Sequence, residues 1–126
     1  MSNQVIKTNN APAPIGPYNQ AIKAGNLLFI SGQIALDPTT NELIDGDAAK
    51  EAHRVMKNLQ AILEEANLTF NNVVKTTIFL SDMSLFVAVN EVYGSYFTGD
   101  YPARETVSVK GLPKGVNVEI SMIATG

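Results

Sequence analysis

Between residues 48 and 66 the apolar side chains Ala52, Val55, Met56, Leu59, Ile62, Leu63 and Ala66 recur at the three-and-four spacing of one helical face. No other feature narrows the fold as much. A helix with a single apolar stripe is stable only when a second layer covers that stripe. The opposite side carries His53, Lys57 and Gln60, and Asp47 is placed to cap the first turn.

The covering layer is read from the remaining segments. A short strand precedes Ala11-Pro12-Ala13-Pro14-Ile15-Gly16-Pro17, which has too much proline for a helix or a central strand and reads as an ordered connector. Ala21-Ile22 and Leu27-Leu28-Phe29-Ile30 flank Ala24-Gly25-Asn26, a hairpin signal, and the second of these strands continues towards Ile34. The β-branched run 73–80 predicts a strand. A second helix over 85–97 places Phe86, Val89, Tyr93 and Phe97 on one stripe. Two last strands, 105–109 and 116–124, flank the turn 111–115. The order βββαβαββ implies an α+β fold in which two helices pack on one face of a mixed sheet.

Length and composition bound this picture. At 126 residues roughly two-thirds of the extended-chain surface is buried on folding, enough for one core, so residues 1–126 are expected to form a single domain. The chain has no cysteine, which excludes disulfides, thiolate-bound metals and a cysteine nucleophile. A net charge of -3 without a basic run makes nucleic acid an unlikely partner. The polar start and the lack of a long apolar run lead to the expectation of a cytoplasmic protein with no membrane partner.

Strand alternation raises the functional question. In the last strand Val118, Ile120 and Met122 project to one side, and Asn117, Glu119 and Ser121 to the other. In the preceding strand Val107 and Val109 are expected to face the helices, with Arg104, Thr106 and Ser108 looking away. A wetted sheet face with stray charges would show the same pattern. Glycine-rich phosphate loops and calcium loops are missing from the sequence. His53, opposite the apolar stripe, reads as an exposed residue rather than a metal ligand or base, so no metal is expected. Ser31 lacks the surroundings of a serine nucleophile.

Several runs together resemble the reactive intermediate deaminase family, known as RidA or YjgF: Ile15-Gly16-Pro17-Tyr18, Ile30-Ser31-Gly32-Gln33-Ile34, Val74-Lys75-Thr76-Thr77-Ile78-Phe79-Leu80, Val89-Asn90 with Tyr93, Tyr101-Pro102-Ala103-Arg104, and Leu112-Pro113-Lys114-Gly115 followed by Val118-Glu119-Ile120. The resemblance implies a chorismate-mutase-like fold and a homotrimer forming a barrel-like assembly with sites at subunit interfaces. It also implies hydrolysis of 2-aminoacrylate-derived imines (2-iminopropanoate, 2-iminobutanoate) to 2-keto acids and ammonia, without a cofactor.

Carried over by that resemblance, Arg104 anchors the substrate carboxylate and Glu119 orients or activates water. Tyr18 is a phenolic wall near the reacting atoms, and Ser31, Gly32, Asn90 and Thr106 complete the substrate-binding set. All but Thr106 also have a plain structural reading: an ion pair of Arg104 with Asp100 or Glu105, an edge charge at Glu119, a core plug at Tyr18, a strand-closing serine at 31, a bulge at Gly32, and an exposed helix turn at Asn90. Many relatives carry a cysteine where Thr106 stands, so this chain would rely there on a backbone N–H or the hydroxyl. The run 98–101 is shorter than in some relatives. Two other functions stay open on the sequence: a 2-keto-acid-binding regulatory module, and an endoribonuclease or translation inhibitor. The low basic charge and the absence of a histidine pair weigh against the latter.

Overall fold

The computed structural model describes residues 3–126. Strands β1 (Gln4–Ile6), β2 (Ala21–Ala24) and β3 (Leu27–Gln33) precede helix α1 (Ala48–Glu65). After β4 (Val73–Leu80) come α2 (Phe86–Gly94), β5 (Ala103–Ser108) and β6 (Val118–Thr125). The order is the expected βββαβαββ. One sheet holds all six strands in the order β1-β2-β3-β6-β4-β5, with β4 and β5 parallel and every other pair antiparallel. The chain therefore builds an α+β layer on a mixed, mainly antiparallel sheet. A parallel neighbour needs a crossover, and α2 supplies it between β4 and β5.

Both helices lie on one face. Val55, Met56, Leu59, Ile62 and Leu63 of α1 are fully buried against Leu28, Ile78, Val118 and Ile120 of the sheet. Each such burial contributes about 1.5–3 kcal/mol, which is what selects this stripe over its polar side. Asp47 caps α1 by accepting from the Lys50 N–H at 3.0 Å. Gly25 turns the β2–β3 hairpin with φ of 62°, in the region glycine favours. The second helix is shorter than its sequence stripe suggests. A 3-10 turn over Met83–Leu85 leads into it and it ends at Gly94, yet Phe97 still reaches the core beyond that end.

The other sheet face is uncovered and carries Phe29 at 43% and Val107 at 39% exposure. The position of Val107 corrects the expected orientation of β5. In the β4–β5 register Thr76 stands opposite Arg104, Thr77 opposite Glu105, and Phe79 opposite Val107. Directly paired residues share a face, and Thr76 is wholly buried beneath the helices, so Arg104 and Thr106 lie on the helix side and Val107 on the open side. The expectation had these reversed. Two-residue alternation marks two faces without saying which one the helices cover, and β5 is an edge strand too amphipathic to decide.

Two clusters that form the candidate active site

The first cluster gathers where β3 kinks against β6. The β3–β6 register shifts between Ile30 and Gln33, and Gly32 sits in that irregularity. An added Cβ at Gly32 would lie 2.8 Å from the Glu119 side-chain carboxyl carbon and 3.0 Å from its Cγ, so the missing side chain makes room for Glu119. The resemblance puts Gly32 in the substrate-binding set, and the group that approaches it in this chain is the Glu119 carboxylate. Burial pushes the Glu119 carboxyl above its ordinary value of 4.5, with no opposing charge to offset it. Tyr18, Ser31, Gly32 and Glu119 line one cavity of about 370 Å³, whose remaining walls include Ile15, Ile34, Leu36 and Pro113.

Ser31 donates its hydroxyl proton to the Asn19 carbonyl at 2.6 Å, which leaves it as an acceptor towards the cavity. The Tyr18 hydroxyl accepts from the Ile15 N–H at 3.3 Å and lies partly exposed at the rim. Two buried side chains hold these parts in place, and neither stood out in the sequence. The Gln20 amide accepts from the Thr8 N–H and donates its two N–H groups to the carbonyls of Thr8 and Pro12, one of them shared with the Ala11 carbonyl at 3.3 Å, fastening the proline-rich connector two residues after Tyr18. The Glu51 carboxylate, on the first turn of α1, accepts from the N–H groups of Asn117 and Val118 at 2.8 and 2.9 Å and from the Asn117 amide at 3.2 Å. That fixes the entrance to β6 immediately before Glu119.

The second cluster lies on the opposite sheet face, at the β5 edge. Arg104 Nη1 donates to the Asn90 side-chain oxygen at 2.7 Å. The guanidinium carbon lies 5.1 Å from the Tyr93 ring centre and 5.7 Å from that of Phe86. The described residues place no carboxylate in ion-pair range of Arg104. Glu105, on the other side of β5, pairs with Lys75 at 3.2 Å and accepts from the Thr77 hydroxyl at 2.6 Å. The ion pair considered for Arg104 is thus not formed. Asn90 and Arg104 share a cavity of about 660 Å³ with Tyr93, Tyr101 and Pro102. Thr106, two residues along β5 on Arg104's side, has a buried hydroxyl without a partner among the described residues.

The sequence-derived residues therefore fall into two groups, Tyr18, Ser31, Gly32 and Glu119 in one, Asn90 and Arg104 in the other, with Thr106 beside the second. One chain does not bring the groups together. Phe86 and Tyr93, which the sequence places on one helical stripe, have their rings under the Arg104 guanidinium. The clue was their position on the helical stripe beside Asn90, but it could be used only once the helix-facing side of β5 was known. His53 lines neither cavity; it is exposed, with Nδ1 2.9 Å from the Tyr96 hydroxyl. Among the described residues, no group of three metal-ligating side chains occurs and no helix is long and apolar enough to cross a membrane.

A mixed six-stranded sheet with two helices on one face is the α+β architecture shared by solved structures of the Rid and YjgF proteins. Within it, the chain belongs to the family described as Endoribonuclease L-PSP, the RidA/YjgF group, which matches residues 8–126. It is 53% identical over 121 residues to the RutC family protein PH0854 of Pyrococcus horikoshii, with 96% of each chain covered. It is 50% identical over 121 residues to the 2-iminobutanoate/2-iminopropanoate deaminase of Mus musculus, covering 96% of this chain and 90% of that one. Among solved structures, E. coli TdcF with bound serine superposes with a TM-score of 0.94 at 38% identity over 98% of both chains.

Proposed function

We propose that this protein hydrolyses 2-imino acids to 2-keto acids and ammonia, with 2-iminopropanoate and 2-iminobutanoate as the substrate class. The observation that carries this reading is Arg104. It is a cation held by two aromatic rings and a neutral amide, and although Glu91 lines the same cavity, no carboxylate of the described residues pairs with it, so most of its N–H donors are free. A guanidinium so placed suits a carboxylate, which it can grip through two parallel charge-assisted hydrogen bonds. The deaminase name of the mouse relative and the serine bound to the TdcF relative point to small amino- or imino-acid ligands.

Glu119 is the proton-transfer group. The protonated imine carbon accepts water; the Glu119 carboxylate takes a proton from that water as the C–O bond forms, giving a carbinolamine. Return of the proton to nitrogen makes ammonia the leaving group, and as the C–N bond breaks the regenerated Glu119 carboxylate takes the hydroxyl proton, leaving the keto oxygen; passing that proton to the departing ammonia resets the carboxylate. One carboxyl group that alternates between base and acid serves every step, and its raised pKa brings both forms nearer to neutral pH. Positioned acid–base catalysis of this kind contributes about 10²- to 10⁴-fold, enough for an already labile imine. Tyr18 and Ser31 orient the water or the nitrogen, while Asn90 and Thr106 complete the carboxylate end.

The two half-sites meet between chains. A homotrimer that covers the open sheet face bearing Phe29 and Val107 would set the β5 edge of one chain against the Glu119 cavity of the next. The family's endoribonuclease description finds little support in the residues at hand, since the lone histidine lines neither cavity.

The test generates 2-aminoacrylate with a serine or threonine dehydratase and follows keto-acid formation. Acceleration by the wild type, lost in Arg104→Ala and Glu119→Gln, is the expected result. No acceleration by the wild type, together with intact 2-oxobutanoate binding, would replace catalysis with a binding role.

A further inference from the structure

We infer that Tyr93 and Phe86 are positioning residues for Arg104, an inference that rests on reading Arg104 as the carboxylate anchor. An arginine on an edge strand has a long, flexible side chain, and a salt bridge is the usual way to still it. Here a salt bridge would defeat the purpose, because an acid would occupy the N–H donors that the ligand needs. Aromatic faces attract the cation through the ring quadrupole and consume no donor. With rings 5.1 and 5.7 Å from its centre, the guanidinium gives up only one N–H, to Asn90, and keeps the other four.

Tyr93 is itself fixed. Its hydroxyl donates to the Thr76 hydroxyl at 3.0 Å, both residues are buried, and its ring packs 4.8 Å from that of Phe97. Thr76 is the residue paired with Arg104 across the β4–β5 ladder. The ring that steadies the guanidinium is therefore referenced to the strand beside the one that carries it, and α2, β4 and β5 set the anchor in a single frame.

The test compares Tyr93→Phe, Tyr93→Leu and Phe86→Leu by three measurements: 2-oxobutanoate binding by calorimetry, the split between KM and kcat on the imine, and ¹⁵N relaxation at the Arg104 side chain. Tyr93→Phe keeps the ring but loses its bond to Thr76, so its binding should fall between that of the wild type and that of Tyr93→Leu. Tyr93→Leu and Phe86→Leu should weaken binding and raise KM about 5- to 10-fold, with the change falling in KM rather than kcat, and should loosen the guanidinium. A folded Tyr93→Leu with unchanged binding and unchanged Arg104 relaxation would overturn the assignment and leave Tyr93 a core residue only. If Tyr93→Leu does not fold, Phe86→Leu decides by the same criteria. Should the wild type neither bind keto acid nor hydrolyse imine, the proposed function fails, while the relaxation measurement still decides whether the rings hold the arginine.

Discussion

The Glu119 carboxylate occupies the volume that a side chain on Gly32 would need. This pairing links a backbone irregularity in β3 to the half-buried carboxyl of the cavity, whose pKa burial raises. Gly32→Ala therefore acts on function more than on folding. The clashing atoms are the end of a flexible side chain that can swing aside, so the variant should fold with a Tm close to wild type. On the proposed mechanism its carboxylate would no longer sit where it takes the proton from water, and kcat on 2-iminopropanoate should fall about 100-fold or more. A Gly32→Ala protein with wild-type turnover would show that Glu119 is not needed in this position.

Desolvation of Glu119 has a thermodynamic signature. Its folded pKa is raised, so the native state binds this proton more tightly than the unfolded chain, and wild-type stability declines as pH rises from about the ordinary value of 4.5 through the raised folded value. Glu119→Gln removes that dependence. The variant should be the more stable protein at neutral pH, and the difference in Tm should shrink as pH approaches 4. Melting curves across this range check the sign. The activity profile of the wild type should lose its base form at a pH above that of an ordinary carboxylate.

Gln20 ties down the chain that carries Tyr18. Replacing it with alanine strands the Thr8 N–H and the carbonyls of Thr8, Ala11 and Pro12 in a buried region. An unsatisfied buried polar group costs about 1–3 kcal/mol, so with partial access of water to the loosened connector Gln20→Ala should lose about 2–4 kcal/mol in urea titration. Proteolysis should then begin near residues 11–17. Unchanged stability would mean that the connector holds itself.

Much of this was legible in the sequence, and the exceptions have physical causes. The α1 stripe, the β4 run and the hairpin at Gly25 are local patterns, and each formed where its pattern lay. Glu119 was read correctly onto the open face because Val118, Ile120 and Met122 beside it are unambiguous core residues. Arg104 was misread because its strand alternates weakly and its face is set by the Lys75–Ala103 register, a long-range choice that no window of β5 contains. The contact between Gly32 and Glu119 spans 87 positions of sequence and needs the β3–β6 irregularity to exist. Gln20 and Glu51 hold the site through backbone groups, which leave no side-chain pattern to recognise. The site residues themselves came from family resemblance, since alternation alone left both their functional and structural readings open.

Arg104 and Glu119 lie on opposite faces of one sheet, which makes a sharing test decisive. If a substrate touches both, they come from different chains, and neither Arg104→Ala nor Glu119→Gln alone can form a complete site. In a closed threefold ring each junction joins the arginine of one chain to the glutamate of the next. A junction is intact only where a Glu119→Gln chain supplies the arginine and an Arg104→Ala chain supplies the glutamate, and random assortment of equal amounts gives this at about one junction in four. Each variant refolded alone should be inactive, and the two refolded together should recover about a quarter of the wild-type rate. Recovery should be absent when the two variants are folded separately and mixed briefly, before chains exchange. A co-refolded mixture as inactive as its components would remove the shared junction from the mechanism, because the two groups on opposite faces of one chain could not then act on a common substrate.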